Sequence, residues 1–452
     1  MPRCARSPCV LALAFAAIVG GAAGAQAAAP WSEPQSTNGG FERILFNTAG
    51  QGMLIGMGQV APLDYRLGRV LAAPVQGGTP GQTRESTTPL SLTQMRVYGR
   101  DGVVAGGVLK PTVSPQVALA RGRLGRPLGR PQPLRSRSRS SLLLDLAVNQ
   151  VGDAVAAVRG CQDRRCRRKT LELFRWRAGA RLSRPLRIAR GRYVDAGVAI
   201  NARGDVAIMW DRFRRRGRRD VFGQILTASG KLQPPQRVGA ARAGPRYRIA
   251  LTDDRRVIAA WVAQEVNECY AHAGEIAVAQ AGKGGRFSRA RRLTTLAITG
   301  CGRYASDPAV QFARAPDGRV LIAWSGNEGA RWVVRAGELG AAGVENVAVV
   351  SDRASDAMLA DLAVGPRGEA LLLIADGVGG GGATGPARLL AVTRGAAPGS
   401  SFTAPELVAD NAGLGSTVAF DPTTDRANVA YGGSDAQFQS ITSIVTRDPI
   451  GP

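Results

Sequence analysis

The sequence has 452 residues, a formal net charge of +25 at pH 7, 58 glycines and only 5% aromatic residues. Many glycines with few aromatic residues indicate numerous tight turns rather than long helices. The single histidine, His272, argues against histidine-based catalysis and multi-histidine metal sites.

The first 27 residues are typical of a secretory signal peptide. Arg3 and Arg6 supply the positive start, residues 10–24 form an apolar stretch, and "AQA" at 25–27 is a small-residue cleavage site. A membrane anchor is the alternative, but a spanning helix needs about 20 apolar residues. We therefore expect a secreted protein, extracellular or in the cell envelope, that is not transmembrane.

A short pattern recurs along the rest of the chain: a turn rich in Asn, Asp or Gly, then an apolar run closed by a large residue. "NARGDVAIMW" (201–210), "TDDRRVIAAW" (252–261) and "APDGRVLIAW" (315–324) are the clearest copies. Fainter copies extend the pattern to eight units of about fifty residues. The aligned closing residues are Gly56, Val108, Val158, Trp210, Trp261, Trp324, Ile374 and Tyr431.

Each unit is predicted to contain four short strands separated by turn residues. Four strands in a repeat of about fifty residues predict the blade of a β-propeller. The alternatives are a parallel β-helix, whose coils are much shorter, and a tandem of small sandwiches, for which fifty residues make a poor core. Because a blade cannot bury both faces alone, the closing tryptophans are expected to pack between blades.

The fold is thus predicted to be all-β: a signal peptide at 1–27, then one propeller domain at 28–452 with eight blades, or seven if one faint repeat is misaligned. Residues 31–36 resemble a fourth strand, whereas 438–449 resemble a third strand with no fourth after it. The N-terminal strand is therefore expected to close the last blade. The predicted repeats span about 41–92, 93–141, 142–190, 191–240, 241–296, 297–352, 353–409 and 410–452.

These repeats resemble those of secreted bacterial β-propellers with degenerate repeats of the BNR, WD40 and YVTN type. The similarity covers residues 31–452 but is one of fold and repeat length. The Asp-box of sialidases is missing, because in "APDGRVLIAW" the distance from Asp to Trp is two residues too long. The Trp-Asp signature of WD40 repeats does not recur along the chain, where Trp210–Asp211 is its single occurrence, so the resemblance implies no active-site residues.

Four cysteines lie after the signal peptide: Cys161, Cys166, Cys269 and Cys301. An even number in an exported protein favours disulfides, and we expect the pairs 161–166 and 269–301. The alternative is a zinc site formed by "CQDRRC" (161–166) with Cys269 and His272. Its spacing departs from the usual Cys-x2-Cys pattern, so no metal or other cofactor is predicted.

Four aspartates are predicted to precede innermost strands, which in a propeller would place them around one mouth of the central channel. The functional interpretation is a cation or ligand site at that mouth. The structural alternative is that these side chains cap turn amides. The four are Asp145, Asp195, Asp307 and Asp361.

Positive charge is concentrated in residues 121–220, where 26 Arg and one Lys face eight acids, a net charge of +19. Two runs, "RRCRRK" (164–169) and "RFRRRGRR" (212–219), are predicted to occupy corresponding loops of blades three and four. A solvated face is the alternative to an anion-binding surface. The predicted anion-binding residues are Arg164, Arg165, Arg167, Arg168, Lys169, Arg212, Arg214, Arg215, Arg216, Arg218 and Arg219.

The sequence contains no Gly-x-Ser-x-Gly elbow, Walker loop, His-Glu-x-x-His or EF-hand loop. We therefore expect an exported, non-enzymatic binding module that engages an anionic polymer or envelope surface. No natural nucleic-acid partner is expected, although nucleic acid would bind the same charge in vitro. The alternative is a carboxylate-dependent glycosidase-like or lyase-like enzyme acting on polysaccharide at the channel mouth. Such an enzyme needs two carboxylates about 5–10 Å apart in a cleft.

Overall fold

The structure is a computed structural model of the whole chain. It describes residues 31–450 except for the following positions: 39–40, 42, 47–48, 60–67, 110–114, 137, 139, 164, 192–194, 215–217, 242–246, 265–271, 299–309, 329–330, 341–343, 378–387, 411, 413–414 and 435–439. The predicted signal peptide lies outside the described residues.

The described residues contain β-strands in eight antiparallel sheets and no α-helix. The strands of blades 1 to 4 are β2 (Arg43–Phe46), β3 (Gly52–Gln59), β4 (Gly68–Gln76), β5 (Thr79–Pro80) and β6 (Arg84–Thr88); β7 (Ser91–Tyr98), β8 (Gly102–Val108), β9 (Val117–Arg123) and β10 (Gln132–Pro133); β11 (Ser140–Val148), β12 (Ala154–Cys161), β13 (Lys169–Trp176) and β14 (Leu186–Gly191); β15 (Ala196–Ile200), β16 (Val206–Phe213), β17 (Arg219–Leu226) and β18 (Gln236–Ala241).

The strands of blades 5 to 8 are β19 (Tyr247–Leu251), β20 (Val257–Gln264), β21 (His272–Ala281) and β22 (Arg291–Ile298); β23 (Val310–Arg314), β24 (Val320–Glu328), β25 (Arg331–Leu339) and β26 (Val344–Val349); β27 (Ala357–Val364), β28 (Ala370–Asp376), β29 (Arg388–Arg394) and β30 (Glu406–Ala409); β31 (Thr417–Phe420), β32 (Ala427–Ser434), β33 (Ser440–Arg447) and β1 (Gln35–Asn38). The predicted eight-bladed propeller is confirmed.

Blade 4 shows how the repeated pattern builds a blade. Asn201 and Asp205 close the turn between β15 and β16, where the Asn201 amide donates to the Asp205 carbonyl at 3.1 Å. Gly204 has a φ of 83°, a left-handed conformation that glycine adopts without steric cost. The apolar run that follows is β16, whose first six residues are buried. The turn residues thus set the hairpin and the apolar run supplies its core.

The closing tryptophans fill the space between blades, as predicted. Trp210 packs in a cluster with Val155 and Leu171 of blade 3, and Trp261 packs with residues of blade 4. Trp324 packs with Ile276 of blade 5. All three are at most 4% exposed, so each contributes a large apolar area to the seam with the preceding blade.

One closing residue differs from the sequence alignment. In seven blades an innermost-strand residue pairs with the residue just before the predicted closing position, as Asp145 pairs with Ala157. In blade 2 the equivalent residue, Gln94, pairs with Gly106. The closing residue of blade 2 is therefore Gly107 rather than Val108. The apolar run of this faint copy consists of small residues, which give its alignment no bulky landmark.

The N-terminal strand closes the ring. Strand β1 pairs antiparallel with β33 from Gln35↔Ile444 to Asn38↔Ile441. The strand therefore begins within the predicted segment 31–36 and extends two residues beyond it. The Ser32 amide adds a hydrogen bond to the Thr446 carbonyl at 2.9 Å. Blade 8 is thus built from both ends of the described chain, which removes an open sheet edge.

Candidate functional site

The innermost strands surround a central cavity of about 1210 Å³. Each blade contributes one residue from an equivalent position, defined by its pairing with the second strand of the blade. All eight of these residues line the cavity, and we refer to them as the channel ring. In blade order they are Arg43, Gln94, Asp145, Gly197, Arg248, Gln311, Asp361 and Thr417.

Two of the predicted aspartates, Asp145 and Asp361, belong to the channel ring. The sequence interpretation placed them before their innermost strands, and this is wrong: they lie within β11 and β27. Each follows a β-bulge. Because a bulge accommodates an extra residue, strand pairing continues on both sides of it. These carboxylates therefore line the channel wall.

Both carboxylates bind the backbone of the next blade. Asp145 accepts from the Val198 amide at 2.9 Å. Asp361 accepts from the Val418 amide at 3.0 Å and from the Thr417 hydroxyl at 2.9 Å. Burial raises the pKa of both carboxyls, although these hydrogen bonds oppose the shift. The two side chains thus tie adjacent blades together, which matches the amide-capping alternative; ligand binding by them stays a prediction.

Other polar side chains of the cavity make similar contacts to the following blade. The Gln94 side-chain amide donates to the Leu144 carbonyl at 2.9 Å, and Arg248 Nε donates to the Val310 carbonyl at 3.3 Å. Arg96, two residues beyond Gln94, donates to Asp145 at 3.4 Å. Arg43 is exposed and forms no ion pair with another described residue. The channel ring, together with Arg96, therefore combines three guanidinium groups with two carboxylates.

Asp195 also lines the cavity, but its carboxylate belongs to a charged cluster at the edge of blade 4. Arg219 contacts Asp195 at 3.1 Å and the fully buried Asp211 at 2.8 Å through the same nitrogen. Arg159 of blade 3 lies 3.5 Å from the other Asp195 oxygen. The cluster places two carboxylates within about 6 Å of each other, the range that carboxylate-dependent enzymes use.

Burial raises the pKa of Asp211 to about 6, even though Arg219 favours its charged form. Tyr247 lines the cavity beside this cluster. Its pKa is raised well above the usual value by burial and then by the negative charges of Asp211 and Asp195. Its hydroxyl is buried without a hydrogen-bond partner among the described residues. The cluster therefore places a protonated phenol close to two carboxyl groups.

The fourth predicted aspartate, Asp307, lies outside the described residues, so its placement stays a prediction. Within the part of the chain that the structure describes, no group of three or more His, Cys, Asp or Glu is arranged to hold a metal ion. Also within that part, no helix is long and apolar enough to cross a membrane.

The two basic runs occupy corresponding loops of adjacent blades, as predicted. One loop joins β12 to β13 and the other joins β16 to β17. Cys161 and Cys166 form a disulfide that brackets the first loop. Asp163 accepts the amides of Arg167 and Arg168, both at 2.9 Å, and these bonds lower the pKa of its carboxyl. The first loop is thus held in one shape without using its guanidinium groups.

The predicted pair Cys269–Cys301 lies outside the described residues, and the side chain of His272 is not described. The zinc alternative drew on Cys161 and Cys166. A disulfide between these two leaves them no thiolate for a metal.

Not all of the predicted anion-binding residues are available to a ligand. Arg219 is bound within the charged cluster, and Arg214 pairs with the buried carboxylate of Asp220. Nearby carboxylates therefore neutralise these two residues. Lys169 is partly buried, and Arg164, Arg215 and Arg216 lie outside the described residues.

Four arginines of these loops, together with Arg212 near the end of β16, are exposed and form no ion pair with a described residue; we call these five the basic loop surface. They are Arg165, Arg167, Arg168, Arg212 and Arg218.

Sequence reasoning missed the channel ring with its members Arg43 and Arg248. It also missed Arg96, which lines the same cavity. The spacing carried a signal for the ring. In seven blades, with Gly107 as the closing residue of blade 2, the ring residue lies 13 positions before the closing residue, as Arg248 does before Trp261. Arginine at this position in some repeats and aspartate in others indicate that the channel wall carries charge of both signs.

No family model matches the sequence, and no curated protein matches it. A solved puromycin hydrolase is 17% identical with a TM-score of 0.43; the match covers 75% of this chain and 50% of the hydrolase, so the chain spans about half its length. The polysaccharide lyase Uly1 is 10% identical, with a TM-score of 0.41 and coverage of 78% and 89%.

A post-proline cleaving enzyme from Rickettsia typhi is 8% identical, with a TM-score of 0.43 and coverage of 88% and 57%. None of these three proteins assigns an activity to this chain. The propeller architecture is established, whereas the BNR, WD40 or YVTN repeat type stays a prediction.

Proposed function

We propose that this protein is an exported module that binds an anionic polymer of the cell envelope through the basic loop surface. The observation that carries the proposal is that corresponding connections of adjacent blades carry five exposed arginines, none of which forms an ion pair with a described residue. Arginine binds carboxylate, sulfate or phosphate with a forked geometry. The disulfide between Cys161 and Cys166 fits an oxidising, exported location.

The fixed backbone of the first loop favours an anion-binding surface over a solvated face. Asp163 and the disulfide fix the backbone that carries Arg165, Arg167 and Arg168. Fixed loops lose less conformational entropy when they bind a ligand. A polymer with repeated negative charges could contact both loops at once, which raises its apparent affinity.

The test compares two charge-matched variants on a heparin column. In the first, Arg165, Arg167, Arg168, Arg212 and Arg218 are changed to Ser. In the control, five exposed arginines from elsewhere are changed to Ser: Arg126, Arg130, Arg181, Arg184 and Arg203.

We expect the loop variant to elute at much lower salt than the wild type and the control to elute near the wild type, because binding requires the local surface. Wild-type binding should also weaken steeply as salt rises. Equal elution of both variants would show that only net charge matters and would overturn the proposal. Arg214 and Arg219 are left unchanged because they pair with the buried carboxylates of Asp220 and Asp211.

A second candidate function is a carboxylate-dependent hydrolase or lyase acting on polysaccharide. The observation that favours it is the Asp195–Arg219–Asp211 cluster with Tyr247 beside it at the channel wall. Asp195 would act as the base and the protonated Tyr247 as the acid. The test incubates wild type, Asp195→Asn and Tyr247→Phe with neutral and acidic polysaccharides. Cleavage by the wild type and at least a hundredfold loss in both variants would support it; no cleavage of any substrate would exclude these substrates.

A further inference from the structure

The channel ring has an internal twofold pattern. In blades 1 to 4 its members are Arg43, Gln94, Asp145 and Gly197, and in blades 5 to 8 they are Arg248, Gln311, Asp361 and Thr417. Arginine, glutamine, aspartate and a small residue thus recur in the same order. In a ring of eight blades, residues four blades apart lie on opposite sides of the channel. The two arginines therefore oppose each other, and the two aspartates lie a quarter turn away.

The small ring residues lie next to the backbone amides that the aspartates bind. Asp145 accepts from the Val198 amide, which follows Gly197, and Asp361 accepts from the Thr417 hydroxyl and the Val418 amide. These contacts hold each carboxylate against the wall of the following blade. The arginine positions differ, because both Arg43 and Arg248 are exposed. The two opposed aspartates are thus fixed on the channel wall, whereas the two opposed arginines are accessible to a ligand.

From this arrangement we propose that the central channel binds an acidic oligosaccharide, with Arg43 and Arg248 contacting its carboxylates. Guanidinium forks match carboxylate groups, and Gln94, Gln311 and the aspartates offer partners for hydroxyl groups. A ligand of high charge density, such as polyphosphate, would face repulsion from Asp145 and Asp361. A sugar with one carboxylate per unit and several hydroxyls satisfies both kinds of wall residue.

The charge and size of the cavity agree with such a ligand. With Arg96, three guanidinium groups face the two ring carboxylates, and the third carboxylate of the lining, Asp195, is paired with Arg159 and Arg219. The volume of about 1210 Å³ exceeds the range of about 300–1,000 Å³ for small-molecule sites, so a short oligosaccharide fits. This inference goes beyond the proposed polymer binding, because the site lies in the channel and its ligand is short.

The experiment measures binding of a trimer of galacturonic acid by isothermal titration calorimetry. The matched ligands are the same trimer with its carboxyls reduced to alcohols, and tripolyphosphate. The variants are Arg43→Gln, the double variant with Arg248→Gln, and the five-residue loop variant described above. Arg43→Gln serves as the main variant because Arg43 forms no ion pair with a described residue, so its loss should not affect folding.

We expect the acidic trimer to bind the wild type, with Kd raised about tenfold in Arg43→Gln and further in the double variant. The loop variant should bind the trimer like the wild type while losing heparin retention, which separates this site from the basic loop surface. Three results would each overturn the inference: no binding of the acidic trimer, equal binding by Arg43→Gln, or equal binding of the reduced trimer. Tighter binding of tripolyphosphate would reassign the channel to phosphate ligands.

Discussion

Asp195 and Asp211 share a single nitrogen of Arg219, at 3.1 and 2.8 Å, and differ sharply in their access to water. The Asp211 side chain is fully buried, whereas that of Asp195 is 35% exposed. The Asp195 amide also donates to the Asp211 carboxylate at 2.8 Å. One guanidinium therefore serves two carboxylates, and the buried one is incompletely compensated.

The stability of the protein should depend on the protonation of Asp211. Burial raises its pKa from the ordinary value of 3.8 to about 6, so the folded state binds the proton more tightly than the unfolded state. This group therefore adds stability as pH falls from about 6 to 4, up to about 3 kcal/mol.

Asp211→Asn should remove that contribution and flatten the pH dependence in this window relative to the wild type. Urea unfolding at several pH values between 4 and 7.5 measures the difference. Parallel curves for the two proteins would contradict the assignment. Asp410→Asn provides the control, because that aspartate is exposed and lies outside the cluster.

The inter-blade hydrogen bonds of Asp361 should be measurable in stability. Asp361→Ala leaves the Val418 amide and the Thr417 hydroxyl without their acceptor, and we expect a loss of about 1–3 kcal/mol. Thr417→Val removes only the hydroxyl bond and keeps the amide bond, so its loss should be smaller. Chemical denaturation of both variants gives the comparison; an equal loss in the two would show that the amide contact contributes nothing.

Closure of the ring should depend on residues 35–38 more than on residues 31–34. Removal of 31–38 deletes β1 and exposes the edge of β33, and the Tm should fall markedly. Removal of 31–34 keeps β1 and costs the Ser32 contacts with Thr446 and the packing of Trp31 on Arg447. Its Tm should fall less. Differential scanning calorimetry tests this order, and an unchanged Tm in the longer deletion would refute closure by β1.

The disulfide between Cys161 and Cys166 closes a short loop. The chain-entropy relation for such a loop gives about 2 kcal/mol, so the double Cys→Ser variant should be slightly less stable. Its heparin elution should shift to lower salt, because the first basic loop is no longer fixed. Mass mapping of the wild type under non-reducing conditions should recover a peptide linking these two cysteines. Recovery of either one joined to Cys269 or Cys301 would contradict the structure.

The repeat could be predicted from sequence because its signals are local. Turn residues such as Gly204 and closing residues such as Trp210 recur at a steady spacing, and they determine the hairpin and the seam. The positions of Asp145 and Asp361 depended on bulges that no local pattern indicates. The Asp211–Arg219 pair could be predicted from the sequence, since both residues flank one hairpin loop. Its link to Asp195 could not be predicted, because that residue lies just before β15, outside the hairpin.

Ring closure also governs how this protein reaches its folded state. The Ser36 and Ser443 hydroxyls lie 2.9 Å apart although 407 residues separate them along the chain. Hairpins within a blade join neighbours in sequence and form quickly, whereas joining distant segments requires the loss of much more chain entropy. Closure by β1 is therefore expected to be the last step of folding. Until it occurs, the edge of β33 is available to pair with another chain, so aggregation during refolding should be greatest before this step.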